Sequence, residues 1–365
     1  MKYRYSVAGL INQEKDISAE IIDFDMRSAQ QAYKQLFQNN VKRQVKRLLY
    51  TLQKKEFVVP LNTTEAFQRG QAKIKNLKSE DCLVSDDMDA FASFVKGKYD
   101  VIISGSDEIW RIKQMRGFPN PYFLPGDLGV RKVAYAASSR TDFGVLSQEQ
   151  HQKLKQYLHE YAFISVRDKL TYDAARKEGI SEEKLMLSCD PSFLYDFPKE
   201  EITAQELLKE KCRLDPSKKI LVLADIHQKI TAGIISQVKR EYNVISTNSR
   251  NSGCINIADL DPFEWRLLLS KADVVVTSLF HGACFCITNN TPFIVVPNED
   301  KKDKIQDLLF STEFENHYVD ANDALAFDWK ERFAVVSEKT DYRSFVLRQR
   351  KDFDSFLRKL RGGGK

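Results

Sequence analysis

Ala272-Asp273-Val274-Val275-Val276-Thr277-Ser278-Leu279-Phe280-His281-Gly282 is the stretch whose reading decides the fold. Val274 to Thr277 are β-branched and nearly all apolar, which predicts a strand buried on both faces. A serine, a histidine and a glycine come next. The apolar run Ala283-Cys284-Phe285-Cys286-Ile287 then predicts a helix over 282–289. A strand-turn-helix junction of this kind belongs at the carboxyl edge of a parallel sheet, where open α/β folds bind their ligands. His281 is therefore expected at the mouth of a crevice. The first N–H groups of the following helix favour an anion there.

The same pattern recurs outward in both directions. Strands are predicted over 19–24, 99–104, 132–137, 162–166 and 184–188, and again over 219–224, 243–247, 274–278 and 292–296. Helices are predicted over 28–53, 147–161, 169–178, 230–242 and 261–271, with a charged amphipathic helix over 340–360. Strand alternating with helix in both halves predicts an α/β protein of two facing Rossmann-like domains with parallel sheets. The charged stretch 197–217, holding Pro198 and Pro216, marks the boundary. This gives a first domain over 1–197, a second over 198–335, and a C-terminal helix with a flexible tail over 336–365.

Composition narrows the function. A net charge of +5 over 365 residues suits an enzyme of anionic substrates and gives no support for nucleic acid as a partner. No apolar run is as long as a membrane span, and Met1 to Leu10 does not read as a signal peptide. The six cysteines show no CxxC pair, so reduced thiols and a cytoplasmic protein are expected. No His lies at ligand spacing from a Cys pair, and no carboxylate cluster calls for a metal; neither metal nor cofactor is expected. The basic face at Lys42, Arg43, Lys46 and Arg47 is either a solvated surface or a peripheral contact with acidic lipid headgroups at the inner face of the membrane.

Two further sites repeat the layout of the first. In Ile103-Ser104-Gly105-Ser106-Asp107-Glu108-Ile109-Trp110, Gly105 permits a tight turn or close ligand approach, and Ser106 and Asp107 are natural helix caps. In Ile164-Ser165-Val166-Arg167-Asp168, an arginine follows a buried strand, and its fork matches phosphate and carboxylate. Each has a plainer reading. The first is a capped helix with Trp110 in the core, the second a surface ion pair or an Asp168 cap, and His281 a core histidine bonded to backbone. Asp190-Pro191 reads as a turn.

Taken together, the segments ISGSDEIW (103–110), PYFL (121–124), KVAYAAS (132–138), ISVRD (164–168), CDPSFL (189–194), ADVVVTSLFHG (272–282) and NNTPFIVV (289–296) resemble the polysaccharide pyruvyl transferase family in order and spacing. The resemblance implies two facing Rossmann-like domains, similar to the glycosyltransferase B architecture. It implies transfer of the pyruvyl group of phosphoenolpyruvate to a sugar or lipid-linked oligosaccharide as a ketal. By resemblance, Asp107, Arg167 and His281 fall on functional positions. In the catalytic scheme this implies, His281 handles acid chemistry and Asp107 is the base or acceptor-hydroxyl ligand. Arg167 holds an anion with help from the helix start at Gly282, and Ser106, Ser278 and Gly105 line the site. The chain departs from the family pattern in three places. No Asn-Tyr-Gly-like turn lies within 1–18, Leu279 stands where Arg or Ser is common, and Arg111 stands where Asn is common. Two alternatives share the fold. One is a nucleotide-sugar glycosyltransferase, with Glu299, Asp300 or Asp303 on the ribose. The other is a non-catalytic scaffold.

Overall fold

Aliphatic runs too short for helices and too apolar for solvent become the inner strands of two parallel sheets. A computed structural model describes residues 5–31, 59–60, 64–112, 116–195, 203–257, 259–337 and 343–362. Two compact units result. One holds the described residues of 1–38, 76–196 and 347–365, the other those of 39–75 and 197–346. Neither is a continuous stretch of chain.

The first unit contains a four-stranded parallel sheet in the order β4 (Val101–Asp107), β5 (Arg131–Ala137), β6 (Phe163–Val166), β7 (Leu185–Leu187). A separate parallel pair joins β1 (Ile21–Asp25) to β3 (Lys78–Val84). A cavity of about 830 Å³ lies in this unit, lined by Ile21 and Ile22 of β1, Ile102 and Ile103 of β4, and Val7 and Ile11. An aromatic core locks the sheet to its loops. Trp110 stacks on Phe123 with ring centroids 5.6 Å apart, and its Nε1 donates to Ser104 Oγ at 3.2 Å.

Residues 347–361 of the helix Arg343–Arg361 pack in this unit. Phe353, Phe356, Leu357 and Leu360 recur at helical spacing and are all buried. Phe356 lies 4.4 Å from the ring of Tyr135 and 5.3 Å from that of Phe163. Arg131 of β5 donates to the carbonyls of Lys359 and Leu360, both at 2.8 Å, satisfying the end of the helix.

The second unit is built on a five-stranded parallel sheet in the order β11 (Ile255–Ile257), β9 (Tyr242–Thr247), β8 (Lys219–Ala224), β12 (Val274–Thr277), β13 (Phe293–Val295). The chain runs outward from β8 through β9 to β11 on one side, and from β12 to β13 on the other. The winding direction therefore reverses between β8 and β12. A short antiparallel pair joins β2 (Val59–Pro60) to β10 (Ser249–Arg250). The helix Thr64–Lys73 also belongs here, although it precedes most of the first unit in sequence. Arg69 pairs with Asp259 at 2.7 Å and with Glu264 at 3.1 Å, and Lys73 pairs with Asp261 at 2.9 Å.

All nine strands expected from sequence are present, within a few residues of the expected ends. β3 was not anticipated, because Lys-Ser-Glu-Asp-Cys-Leu-Val is largely solvent-facing and carries no apolar period. β11 is only three residues long. The expected helix over 28–53 is described only in its first turn, and the basic face from Lys42 to Arg47 lies outside the described residues. No helix among the described residues is long and apolar enough to cross a membrane.

The docking of the final helix can be tested by unfolding. Phe356→Ala removes a fully buried ring and should cost about 3–5 kcal/mol in denaturant-induced unfolding. Leu347→Ala, on the same helix but 66% exposed, should stay within about 0.5 kcal/mol. Equal effects would contradict the packing described.

Candidate functional site

In the first unit the candidate residues sit at the carboxyl edge of the sheet. β4 runs to Asp107, so Ser106 and Asp107 are strand residues and not the expected helix caps. No helix follows among the described residues 108–112. The backbone there is committed to the sheet: Trp110 N donates to Ser138 O at 3.1 Å, and Ser138 N to Asp107 O at 3.0 Å. Asp107 has φ 75°, a left-handed conformation that short polar side chains tolerate better than most. Gly105 has φ 153°, and a Cβ there would lie 1.9 Å from the carbonyl oxygen of Tyr135. The glycine is thus required by the approach of β5. Ser106 is almost fully buried, and its Oγ has no hydrogen-bond partner among the described residues.

Arg167 follows β6 and is buried, with 3% of its side chain exposed. Its fork is shared between two carboxylates. Nη2 donates to Asp107 Oδ1 at 2.8 Å and Nη1 to Asp190 Oδ2 at 2.7 Å. Burial opposes its charge, but Asp107, Asp190 and Asp168 together outweigh that and push its pKa well up. Sequence reasoning placed this guanidinium on a ligand anion; the structure places it between anions of the protein. Asp168 caps the helix Lys169–Lys177, accepting from Thr171 N at 2.8 Å and Thr171 Oγ1 at 2.7 Å. Asp190 does form the expected turn, accepting from Ser192 N at 3.0 Å through Oδ1. Its second role, through Oδ2, had no sequence signal beyond its place after a strand. Glu108 accepts from Arg111 at 3.5 Å and from Arg140 at 3.4 Å, so the departure at position 111 joins a second charged cluster.

In the second unit β12 is buried throughout, as the quoted stretch predicted. The helix that follows is Phe280–Asn289, two residues earlier than expected. His281 therefore lies in its first turn. The early start has a local cause: Thr277 Oγ1 accepts from Leu279 N at 3.0 Å, which serves in place of a cap at Leu279. Gly282 permits the helix to rise so close to the strand, because a Cβ there would sit 2.3 Å from Thr277 Oγ1. His281 is partly buried, edge-on to Phe280 at 5.3 Å.

Ser278 Oγ donates to Asp225 Oδ2 at 2.9 Å, and Lys301 Nζ lies 3.1 Å from the same oxygen. Asn298 Nδ2 reaches Ser278 Oγ at 3.4 Å. Sequence reasoning named Ser278 and missed the other three. Asp225 could have been found, because it directly follows the buried strand β8. Of the expected site residues, Gly105, Ser106, Asp107 and Arg167 thus belong to the first unit, and Ser278, His281 and Gly282 to the second. Among the described residues no group of His, Cys, Asp and Glu is arranged to hold a metal ion.

The model of the polysaccharide pyruvyl transferase family matches residues 4–300. No curated protein matches the sequence. Among solved structures, the chain is similar to UDP-GlcNAc 2-epimerase from Neisseria meningitidis, with a TM-score of 0.49, 8% identity and 80% of this chain and 89% of that chain covered. UDP-GlcNAc 2-epimerase from Methanocaldococcus jannaschii gives a TM-score of 0.46 at 11% identity, covering 75% and 83%. A glycosyltransferase from Streptomyces sp. SF2575 gives 0.39 at 13% identity, covering 81% and 76%.

Removing the guanidinium tests its structural role. Arg167→Met leaves Asp190, 1% exposed, without its cation, and should cost about 3–5 kcal/mol in urea unfolding. Arg167→Lys should recover only part of this, since one ammonium does not reproduce the two-armed fork. A loss below about 1 kcal/mol for the methionine variant would show that the pairs contribute little.

Proposed function

Because the chain belongs to the polysaccharide pyruvyl transferase family, we propose that it moves the pyruvyl group of phosphoenolpyruvate onto sugar hydroxyls as a ketal. The glycan is an exopolysaccharide, capsule or cell-wall polymer. The acceptor is a sugar or lipid-linked oligosaccharide, and the reaction takes place in the cytoplasm or at the inner face of the membrane. The observation that carries this reading is the family match over residues 4–300. It is supported by His281 and Asp107 each standing at the carboxyl edge of a parallel sheet.

The chemistry assigns roles as follows. A proton is delivered to the methylene carbon of the donor, and the enol carbon becomes electrophilic. An acceptor hydroxyl attacks that carbon, forming a C–O bond and losing its proton. The C–O bond to phosphate breaks, phosphate departs, and a second hydroxyl of the same sugar closes the ketal while losing its own proton. His281 is the acid, either at the methylene or at the departing phosphate, since an imidazolium N–H can give its proton to either. Asp107 receives the acceptor proton or orients that hydroxyl. Arg167, whose fork is shared between Asp107 and Asp190, is assigned to positioning Asp107 in place of the anion contact expected from sequence. Ser278 adds a hydrogen bond on the side of His281, and the start of the helix Phe280–Asn289 favours the donor's negative charge.

The decisive assay is phosphate release from phosphoenolpyruvate with a panel of galactose-, glucose- and mannose-terminated acceptors. The unaltered protein should release phosphate only when a suitable acceptor is present. His281→Ala should lower turnover on the order of 100- to 10,000-fold, the range for loss of a placed proton donor. Asp107→Asn should slow turnover while leaving donor binding intact. Full turnover by both variants would refute the roles given.

A further inference from the structure

We propose that the cavity of the first unit is a slot for an extended segment of another polypeptide, which enters between β1 and β4 as a parallel strand, a role separate from the donor chemistry above. Among the described residues β4 is the last strand of its sheet and β1 the last of its pair, so each has a neighbour on one side only. The two run in the same direction. Tyr99, just before β4, donates to Glu20, just before β1, at 2.6 Å. Further along, Tyr122 joins them: its hydroxyl donates to Asp25 Oδ1 at 3.3 Å, and its carbonyl accepts from Ser104 Oγ at 2.6 Å.

The cavity meets strand edges and not one face of a sheet. Successive side chains of a strand point to opposite faces, yet the five consecutive residues Val101 to Gly105 all line it. Asp100 O accepts from Arg131 N of β5. By the two-residue period Ile102 also faces β5, while Val101 and Ile103 turn their N–H and C=O groups to the cavity. On β1, Asp25 O accepts from Ser85 N beside β3, so Asp23 faces β3 and Ile22 and Phe24 face the cavity. Two rows of backbone donors and acceptors thus confront the same space. A strand satisfies both rows, and a hydrocarbon chain of similar bulk satisfies neither.

The walls specify the occupant. Beyond the strands they include Val7, Ala8, Ile11, Phe91 and Leu124, all buried. A strand among them is covered on both faces, so it is an unbroken apolar, β-branched run. Five residues, about 17 Å, match the length of β1. The end at which β1 and β4 begin is acidic. Lys98 there is paired with Asp81 at 2.8 Å, and Arg361 with Glu14 and Asp16 at 2.6 and 2.7 Å, which leaves the carboxylates of Glu20 and Asp100 in excess. A parallel strand brings its amino end to that place, so a lysine ahead of the apolar run is complementary. Its carboxyl end points to the edge that carries Asp107.

Fluorescence anisotropy of the full chain with a labelled synthetic peptide, one lysine followed by six valine and isoleucine residues, tests the slot. The peptide should bind saturably at one site. N-methylation at alternate residues keeps its apolar surface but removes the donors of one edge, and should weaken binding about tenfold or more. Ala8→Trp fills the cavity from the helix Tyr5–Ile11 and should abolish binding, with a melting curve to establish that the variant is folded. Asp100→Asn should weaken the lysine peptide by about two- to fivefold and leave an alanine-first peptide unchanged. The methylated arm uses the unaltered protein, so it decides the matter even if the variants fail to fold. Absence of peptide binding, or equal binding of the methylated peptide, overturns the proposal. Displacement of the peptide by a decyl chain at equal concentration overturns it in favour of a hydrocarbon ligand. Dimers that sediment as such and are split by the peptide overturn it in favour of a second copy of this chain.

Discussion

A guanidinium that has almost no contact with water must be matched by anions of the protein, and that requirement organises the first unit. Arg167 reaches the edge of the sheet from β6, Asp107 from β4 and Asp190 from the turn after β7. The ordered loops at the end of the sheet therefore depend on one buried charge and its two partners. Pairs of this kind are not a source of much net stability, because the desolvation of each ion offsets most of their attraction. They specify geometry. Asp107, 36% exposed, is the member that still faces solvent, and its direction is set by a cation that cannot turn elsewhere without stranding Asp190. A carboxylate held in this way keeps one fixed direction toward solvent.

The second unit solves a different problem at the same position in its sheet. There the elements are packed so closely that Thr277 acts as both strand terminus and helix support, and glycine is the one residue that fits at 282. The polar residues Asp225, Ser278, Asn298 and Lys301 gather beyond this tight junction. Close packing of strand and helix thus brings the start of the helix, His281 and an ammonium to one edge.

Much of this architecture was legible in the residues. Buried parallel strands announce themselves, because both faces are covered and apolar residues run without interruption, as in Val274 to Thr277. Helix ends were less legible. The helix after β12 begins at Phe280 because the Thr277 side chain takes the N–H of the N-cap residue Leu279, a contact that no composition rule anticipates. The helix expected after Ser106 and Asp107 does not form within the described residues 108–112, because Trp110 is drawn into the core and its N–H is claimed by Ser138. Strand β3 escaped notice because an edge strand facing water needs no apolar period. Arg167 stands out in the sequence for its place after a strand, but its partners come from residues 60 positions before it and 23 after it, and such long-range pairs leave no local trace.

The final helix has a consequence for biosynthesis. Its phenylalanines cover Tyr135 and Phe163 in the unit that begins the chain, and Leu347 to Arg361 emerge from the ribosome only after the second unit has been made. The first unit cannot complete its packing until residues 347–361 have been made, so its aromatic face waits uncovered as the second sheet assembles. Vectorial folding, in which each domain matures before the next is synthesised, is therefore closed to this protein. Nascent chains stalled before residue 347 should be clients of holding chaperones, whereas chains that include residues 347–361 should not.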